Sequence, residues 1–261
     1  MEKSQKVPLS SIERQARIHE WIEKEKRITV VQMCANFNIS GATARRDLAV
    51  LSGQGRAKRV HGGAIQIQQA PPEKPLSERA AAQAEEKRRI GRKTADLITD
   101  GKTIFLGSGT TVHEVAKNLR FKKNLTVITN SLLVINELST EEGITIIGIG
   151  GMLRASEQSF IGHITEQALV ELRADKVIMG IRAISLDRGL TNDYLPETMT
   201  DRAIMGMGRE LIIVADHSKC ERTSTVFVCP LESIHTLITT DKTSGKFVQA
   251  LYERGVNTLM A

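Results

Sequence analysis

Two groups of residues in this 261-residue chain have the types and spacing to hold anions. The first is Gly107-Ser108-Gly109-Thr110-Thr111, which follows an apolar run at 103–106 and opens a helical pattern. Glycines let backbone N–H groups approach an anion closely, and hydroxyls at a helix start complete a phosphate cradle. A Gly-Ser-Gly turn can also be only a turn. Here it has company: Thr129-Asn130, Gly150-Gly151 with Arg154 close behind, and Asp216-His217-Ser218-Lys219 each follow an apolar run. A series of small, hydroxyl-bearing or charged residues at consecutive strand ends favours a polyanionic, hydroxyl-rich ligand such as a sugar phosphate. The second group is the stretch 40–51. Ser40 can cap a helix, and Ala44, Leu48 and Leu51 form one apolar face. Arg46 projects opposite that face with Ala42, Arg45 and Ala49 nearby. Small residues in the first turn let a helix enter a groove, and two arginines supply cations for phosphate or guanine. An amphipathic helix with a solvated basic face would read the same way, so context has to decide.

The charge distribution supplies that context. Residues 1–60 hold 12 Lys+Arg against 6 Asp+Glu, and the rest of the chain holds 24 against 24. The whole excess of +6 therefore sits beside the candidate groove helix, as expected of a nucleic-acid module attached to a neutral domain. Cys34, Cys220 and Cys229 lack metal-type spacing and are too few for a disulfide framework, so free thiols in a reducing compartment are expected. No metal site and no cofactor are expected. The start Met1-Glu2-Lys3-Ser4 lacks the apolar core of a signal peptide, and no apolar run reaches the length of a membrane span. The expected location is cytoplasmic, with no membrane partner.

The elements that must position the basic group follow from periodicity. Ser10 or Ser11 can cap a first helix with Ile18, Trp21 and Ile22 inward, Trp21 being a core anchor rather than a base-stacking residue. Thr29 can cap a second helix carrying Val31, Ala35 and Phe37, and Ile39 fills the gap before the Ser40 helix. Two short helices joined by a tight turn, the second basic and small at its start, form the helix-turn-helix pattern. Gly53 and Gly55 stop that helix. The basic run 56–60, the turn His61-Gly62-Gly63 and the alternating run 64–67 predict a hairpin wing. Thr29, Ser40, Ala42, Thr43, Arg45 and Arg46 are then candidate DNA contacts, with Lys58, Arg59 and His61 facing neighbouring phosphates or the minor groove.

Pro71-Pro72 and Pro75 predict an extended linker over 71–84, between a module at 1–70 and a second domain at 85–261. Beyond it, helical patterns alternate with apolar runs at 103–106, 125–128, 144–149, 176–179, 211–214, 225–228 and 236–239. The expected fold is a winged helix-turn-helix, mainly α with a β-hairpin wing, joined to an α/β sensor domain with a mostly parallel sheet. Ligands bind beyond the carboxyl ends of strands in such sheets.

Arg14, Ile18, Ile22, Ser40, Thr43, Arg45-Arg46-Asp47-Leu48 and His61-Gly62-Gly63-Ala64 resemble the DeoR family of bacterial sugar-responsive transcriptional regulators. Further along, Glu78-Arg79, Lys87, Ile90, Gly109-Thr110-Thr111, Thr129-Asn130, Gly150-Gly151, Gly162 and Asp216-His217-Ser218-Lys219 resemble that family's sensor domain, itself similar to ribose-5-phosphate isomerase. The resemblance implies a repressor of a sugar or sugar-acid catabolic operon. It would bind double-stranded operator DNA as a dimer or tetramer and be relieved by a phosphorylated effector. The strand-end residues Gly107, Ser108, Gly109, Thr110, Thr111, Thr129, Asn130, Gly150, Gly151, Arg154, Asp216 and Lys219 are the candidate effector contacts. The family often has Asp at Gly107 and an Asp-Gly or Asn-Gly pair at Arg182-Ala183. Arg182 would add a guanidinium and suit a more acidic effector, such as a sugar-acid phosphate or bisphosphate, unless it pairs with Glu197 or Asp201. An alternative is a sugar-phosphate isomerase with a basic appendage. Glu197 or Asp201 could serve as its base, but the isomerase's paired aspartates and Lys-Gly-Gly-Gly loop are not recognisable at 180–184 or 192–196. A regulator without enzymatic activity is expected.

Overall fold

The computed structural model describes residues 9–54, 56–67 and 73–261, and the chain divides into two compact units that part after residue 68. Local chemistry sets the helix starts of the first unit. Helix α1 (Ser11–Glu25) begins with a capping box: the Ser10 hydroxyl accepts from the Glu13 N–H at 3.2 Å, and the Glu13 carboxylate accepts from the Ser10 N–H at 3.1 Å. Strand β1 (Arg27–Thr29) leads into α2 (Val30–Phe37), capped the same way by Thr29 and Gln32. Helix α3 (Gly41–Gly53) starts where the Ser40 hydroxyl accepts from the Thr43 N–H at 3.2 Å. Strands β2 (Lys58–Val60) and β3 (Gly63–Ile65) form the expected hairpin, and β1 joins it to give the antiparallel order β1-β3-β2. The core gathers Ile18, Ile22, Ile28, Met33, Ala44, Leu48 and Leu51, with Trp21 and Phe37 edge to face against it at 6.0 Å. Trp21 is thus a core anchor. The inward face of α2 differs from the expected one: Met33 is buried with Val30, Cys34 and Phe37 beside it, while Val31 and Ala35 face outward. The buried stripe runs i, i+3, i+4 and i+7 from Val30, the spacing of one helical face, to which Val31 and Ala35 do not belong.

The second unit starts with α4 (Leu76–Ala81) and α5 (Ala84–Asp96), so residues 76–84 are not the extended linker that the prolines suggest. Pro75 sits just ahead of α4, a position where its fixed φ favours a helix start. Pro71 and Pro72 lie outside the described residues. Then follow β4 (Thr103–Leu106), α6 (Thr110–Lys117), β5 (Leu125–Thr129), α7 (Leu132–Leu138), β6 (Ile144–Gly148), β7 (Met152–Arg154), β8 (Ser159–Ile161), α8 (His163–Val170) and β9 (Ala174–Gly180). The remainder is β10 (Ala183–Ser185), β11 (Gly189–Asn192), α9 (Leu195–Met205), β12 (Gly208–Val214), a 3-10 turn at His217–Lys219, β13 (Val226–Cys229), a 3-10 turn at Leu231–Ser233, β14 (Thr236–Thr239), α10 (Gly245–Tyr252) and β15 (Asn257–Met260).

Seven strands form one parallel sheet in the order β15-β14-β12-β9-β4-β5-β6. On one face, Ile90 of α5, Val112 and Val115 of α6 and Val134 of α7 pack on Ile104, Ile178 and Ile212. On the other, Leu169 of α8, Ile204 of α9 and Phe247 of α10 pack on Phe105, Val177 and Ile213. The run at 225–228 was expected among the strands of this α/β sheet. It belongs to β13 instead, which pairs antiparallel with β11 in a separate sheet, β10-β11-β13. Phe227 of β13 is exposed, whereas Val177, Ile178 and Met179 of β9 and Leu211, Ile212, Ile213 and Val214 of β12 are covered from both faces of the central sheet.

Candidate functional site

Helix α3 turns Ala44, Leu48 and Leu51 inward and leaves Ala42, Arg45, Arg46 and Ala49 exposed, with Thr43 half-buried. The Ser40 and Thr43 hydroxyls lie 2.9 Å apart in the first turn, and the Thr29 hydroxyl bonds the Gln32 side chain at 2.9 Å, so these candidate contacts also cap helices. Asp47, which follows the two arginines, points the other way. It is 2% exposed and accepts from Arg14 Nε at 2.7 Å, Arg14 Nη2 at 3.3 Å and Gln15 Nε2 at 2.9 Å. That bond locks α3 to α1 and fixes which way Arg45 and Arg46 face. Lys58, Arg59 and His61 are exposed on the wing. Its turn depends on Gly62-Gly63: Gly62 has φ +76°, and a Cβ on Gly63 would stand 2.1 Å from the Ile28 carbonyl oxygen of the adjacent strand.

In the second unit the strand order reverses between β4 and β9, and a cavity of about 310 Å³ opens beyond their carboxyl ends. The Gly107 N–H donates to the Ile178 carbonyl at 2.9 Å, which joins the two strand ends. Gly107, Ser108, Gly109, Thr110 and Thr111 line the cavity. Gly109 adopts φ +102° and precedes α6 without a side-chain cap, so first-turn N–H groups are left for another acceptor. Asp216 and Lys219 line the cavity as well. Asp216 is buried and accepts from the Ser218 N–H at 3.0 Å, holding the 3-10 turn that carries Lys219. Burial lowers the pKa of the Lys219 ammonium, and the neighbouring Asp216 partly opposes that. From behind, Glu86 of α5 fixes this turn. It is 2% exposed and bonds His217 Nδ1 at 2.8 Å, Thr240 Oγ1 at 2.7 Å and Lys242 Nζ at 3.0 Å. Burial would raise this carboxyl, but those donors outweigh it and hold it down at about 2. Lys87 is tied to the Ala82 carbonyl at 2.6 Å and to the Arg79 carbonyl, so it shapes the α4–α5 turn.

The opposite wall is acidic. Glu157, Glu197 and Asp201 line it, with Glu73 and Arg79 from the start of the unit. Arg154 bonds Glu197 and Glu73, and Arg79 bonds Glu157. Burial pushes Glu157 up to about 7 and raises Glu197 and Asp201. Arg182 lines the cavity and pairs with Asp193 at 2.6 Å, not with Glu197 or Asp201. Of the expected effector residues, Asn130 lines the cavity while Thr129, Gly150, Gly151 and Arg154 do not. The Thr129 hydroxyl is spent on the Leu106 carbonyl at 2.6 Å, and the Gly150 carbonyl accepts from Thr165 at 2.9 Å. Arg154 lies over the Tyr194 ring at 4.7 Å within its ion pairs. Sequence reasoning missed Arg79 and Glu157 as lining residues. Glu197 and Asp201, four apart on α9, carry a readable signal: two carboxylates on one helical face with Ile204 one turn on.

Residues 14–70 match the DeoR-like helix-turn-helix domain, and residues 82–241 match the DeoR C terminal sensor domain. The chain belongs to the DeoR family. Among its DeoR-family relatives, the transcriptional repressor AccR of Agrobacterium fabrum is 36% identical over 94% of this chain and 95% of its own. The glycerol-3-phosphate regulon repressor of Escherichia coli is 34% identical over 88% and 91%. The HTH-type transcriptional repressor GlcR of Bacillus subtilis is 35% identical over 95% of each. The chain is accordingly a DNA-binding transcriptional regulator of the DeoR family and not an isomerase. Among the described residues no helix is long and apolar enough to cross a membrane.

Proposed function

We propose that this regulator represses an operon for the use of a sugar or sugar derivative and that a phosphorylated effector in the strand-end cavity relieves the repression. Arg45 and Arg46 enter the major groove of the operator from α3, and Lys58, Arg59 and His61 of the wing contact the flanking backbone. The phosphate sits on the Gly107–Thr111 turn with Lys219 as its cation. The observation that carries this reading is the α6 N-terminus without a side-chain cap, which lines one cavity with Lys219 at the point where the strand order reverses. Glu73 and Arg79, close behind the junction in sequence, line the same cavity, so a ligand that reorders this wall acts at the root of the connection to the DNA-binding unit. The protein works in the cytoplasm as a dimer or tetramer, because one recognition helix reads too few base pairs for operator specificity. Sedimentation at micromolar concentration tests the assembly, and a monomer that still binds operator tightly contradicts it. The function is tested by selecting bound sequences from random DNA and screening phosphorylated sugars by thermal shift. A bound effector must raise the melting temperature by mass action; no selected sequence, or no phosphate ester that shifts melting, would sink the proposal.

A further inference from the structure

The cavity is two-sided, and the two sides differ in sign. Helix α6, whose N-terminus opens on it, packs on one face of the parallel sheet, while α9 packs on the other through Ile204. Glu197 and Asp201 of α9 therefore stand across the strand ends from the phosphate cradle. Glu157, just ahead of β8, joins them. The cations on that side do not balance the carboxylates. Arg154 is shared between Glu197 and Glu73, and Arg79 between Glu157 and Glu73, the latter at 3.6 Å. Asp201 pairs with no cation among the described residues; its carboxylate accepts from the Asn192 side chain at 2.5 Å. Arg182, which would have brought positive charge, is engaged by Asp193.

A second observation points the same way. Asn130 is 4% exposed and lines this cavity. Its amide donates to the Phe160 carbonyl of β8 at 2.8 Å, which fixes the side chain and identifies Oδ1 as the remaining atom. That oxygen is buried with no donor among the described residues. A buried acceptor without a donor is costly, and a bound water or a ligand N–H would meet it. The same wall carries one buried donor without an acceptor among the described residues, Arg79 Nε, while Asn130 Oδ1 and the cation-free Asp201 carboxylate call for N–H groups and positive charge.

We infer that the effector is an amino-sugar phosphate, its phosphate at the α6 N-terminus and Lys219 and its ammonium among Glu197, Asp201 and Glu157. This rests on the reading of the cavity as the effector site. The sugar-acid phosphate suggested by Arg182 in the sequence would set its carboxylate beside Glu157, Glu197 and Asp201 and supply no N–H donor to Asn130 Oδ1 or Asp201. The raised carboxyls of that wall fit the same picture, since an ammonium placed there favours their ionised forms.

The test is calorimetric titration of the full chain with glucosamine 6-phosphate against glucose 6-phosphate, galactosamine 6-phosphate against galactose 6-phosphate, and 6-phosphogluconate. In at least one configuration the amine should bind at least about tenfold tighter than its hydroxyl counterpart, as expected for a charge-assisted bond. 6-Phosphogluconate should bind weakest. Asp201→Asn should reduce the amine preference to within about twofold and leave the hydroxyl sugar phosphate bound. If neither amine binds tighter than its hydroxyl partner while some phosphate ester binds, the inference falls and the effector site stands. If no ester binds, both fall. The order among wild-type ligands decides the matter even if Asp201→Asn fails to fold, and an unchanged preference in a folded Asp201→Asn variant overturns the role of that wall.

Discussion

Replacing Asp47 with Ala should destabilise the DNA-binding unit and weaken operator binding without touching a DNA-facing residue. The Asp47 side chain is 3% exposed and that of Arg14 is 14% exposed, and Asp47 accepts three hydrogen bonds from Arg14 and Gln15. Truncation leaves a guanidinium and an amide without their acceptor. Removing one partner of a buried pair costs roughly 3–5 kcal/mol. Arg14 lies near the surface and can be partly rehydrated, so roughly 2–3 kcal/mol is the expected loss. A unit of some 60 residues has only about 3–9 kcal/mol in total. With a urea slope of about 1 kcal/mol/M for so small a unit, the midpoint should fall by about 2–3 M. The chain's one tryptophan, Trp21, packs in this core against Phe37, so its fluorescence reports the first unit alone. Asp47→Asn keeps the shape and one acceptor and should lose about half as much. The double variant Arg14→Ala/Asp47→Ala should be no less stable than Asp47→Ala. A midpoint for Asp47→Ala within about 0.5 M of wild type would refute the lock between α1 and α3.

Other outcomes follow from the same geometry. Arg46→Ala should keep the wild-type Trp21 transition yet lose about 1–3 kcal/mol of operator affinity, with specificity relaxed at one base pair if it reads a base; unchanged affinity by fluorescence anisotropy removes the groove assignment. Gly109→Val puts a β-branched residue at φ +102°, so it should cost roughly 1–2 kcal/mol of second-unit stability and abolish effector binding while operator binding persists; a normal effector response places the cradle elsewhere. Glu86→Gln should loosen the turn that carries Lys219 and weaken effector binding about tenfold, which calorimetry would read; unaltered affinity would detach Glu86 from the site. The second unit should also respond to pH in a defined direction. Glu157, raised from 4.5 to about 7 by burial, with Glu197 and Asp201 raised likewise, is favourable when protonated, so stability should fall as pH rises from 4.5 through 7. Glu86, held at about 2, acts oppositely and gives stability above pH 4.5 that is lost as pH falls toward 2. Thermal melts should therefore peak near pH 5, and Glu157→Gln should flatten the limb above it; a limb that rises toward pH 8 contradicts the acidic wall.

Much of this molecule was legible in local chemistry. Ser10, Thr29 and Ser40 each start a helix because a hydroxyl followed by a free N–H three residues on is a local signal. The central strands β4, β5, β9, β12 and β14 read as apolar runs because both faces of the sheet are covered. The Gly107–Thr111 turn and Lys219, both at strand ends in the sequence, line one cavity. Less was readable where partners are distant in sequence. Nothing near Asp47 announces Arg14, and Glu86 meets Thr240 across 154 positions. The short strands β7, β8, β10 and β11 pair antiparallel in two small sheets outside the central one, and at three or four residues each they are too short to show a pattern of their own. Arg154 was assigned to the ligand because it follows a strand-end glycine pair, but the carboxylates that claim it, Glu73 and Glu197, lie 81 and 43 residues away.

Operator affinity measured against effector concentration tests the central claim most directly. Fluorescence anisotropy of the full chain on a selected DNA fragment would be titrated with glucosamine 6-phosphate and the other sugar phosphates of the calorimetric series, for wild type and for Lys219→Ala. Wild type should bind DNA tightly and release it as the ligand rises, while Lys219→Ala should bind the same DNA and ignore the ligand, since a ligand shifts an equilibrium only through unequal affinity for its two states. Wild-type affinity that no phosphorylated sugar alters, or a Lys219→Ala variant that releases DNA at the same ligand concentration as wild type, would contradict the account.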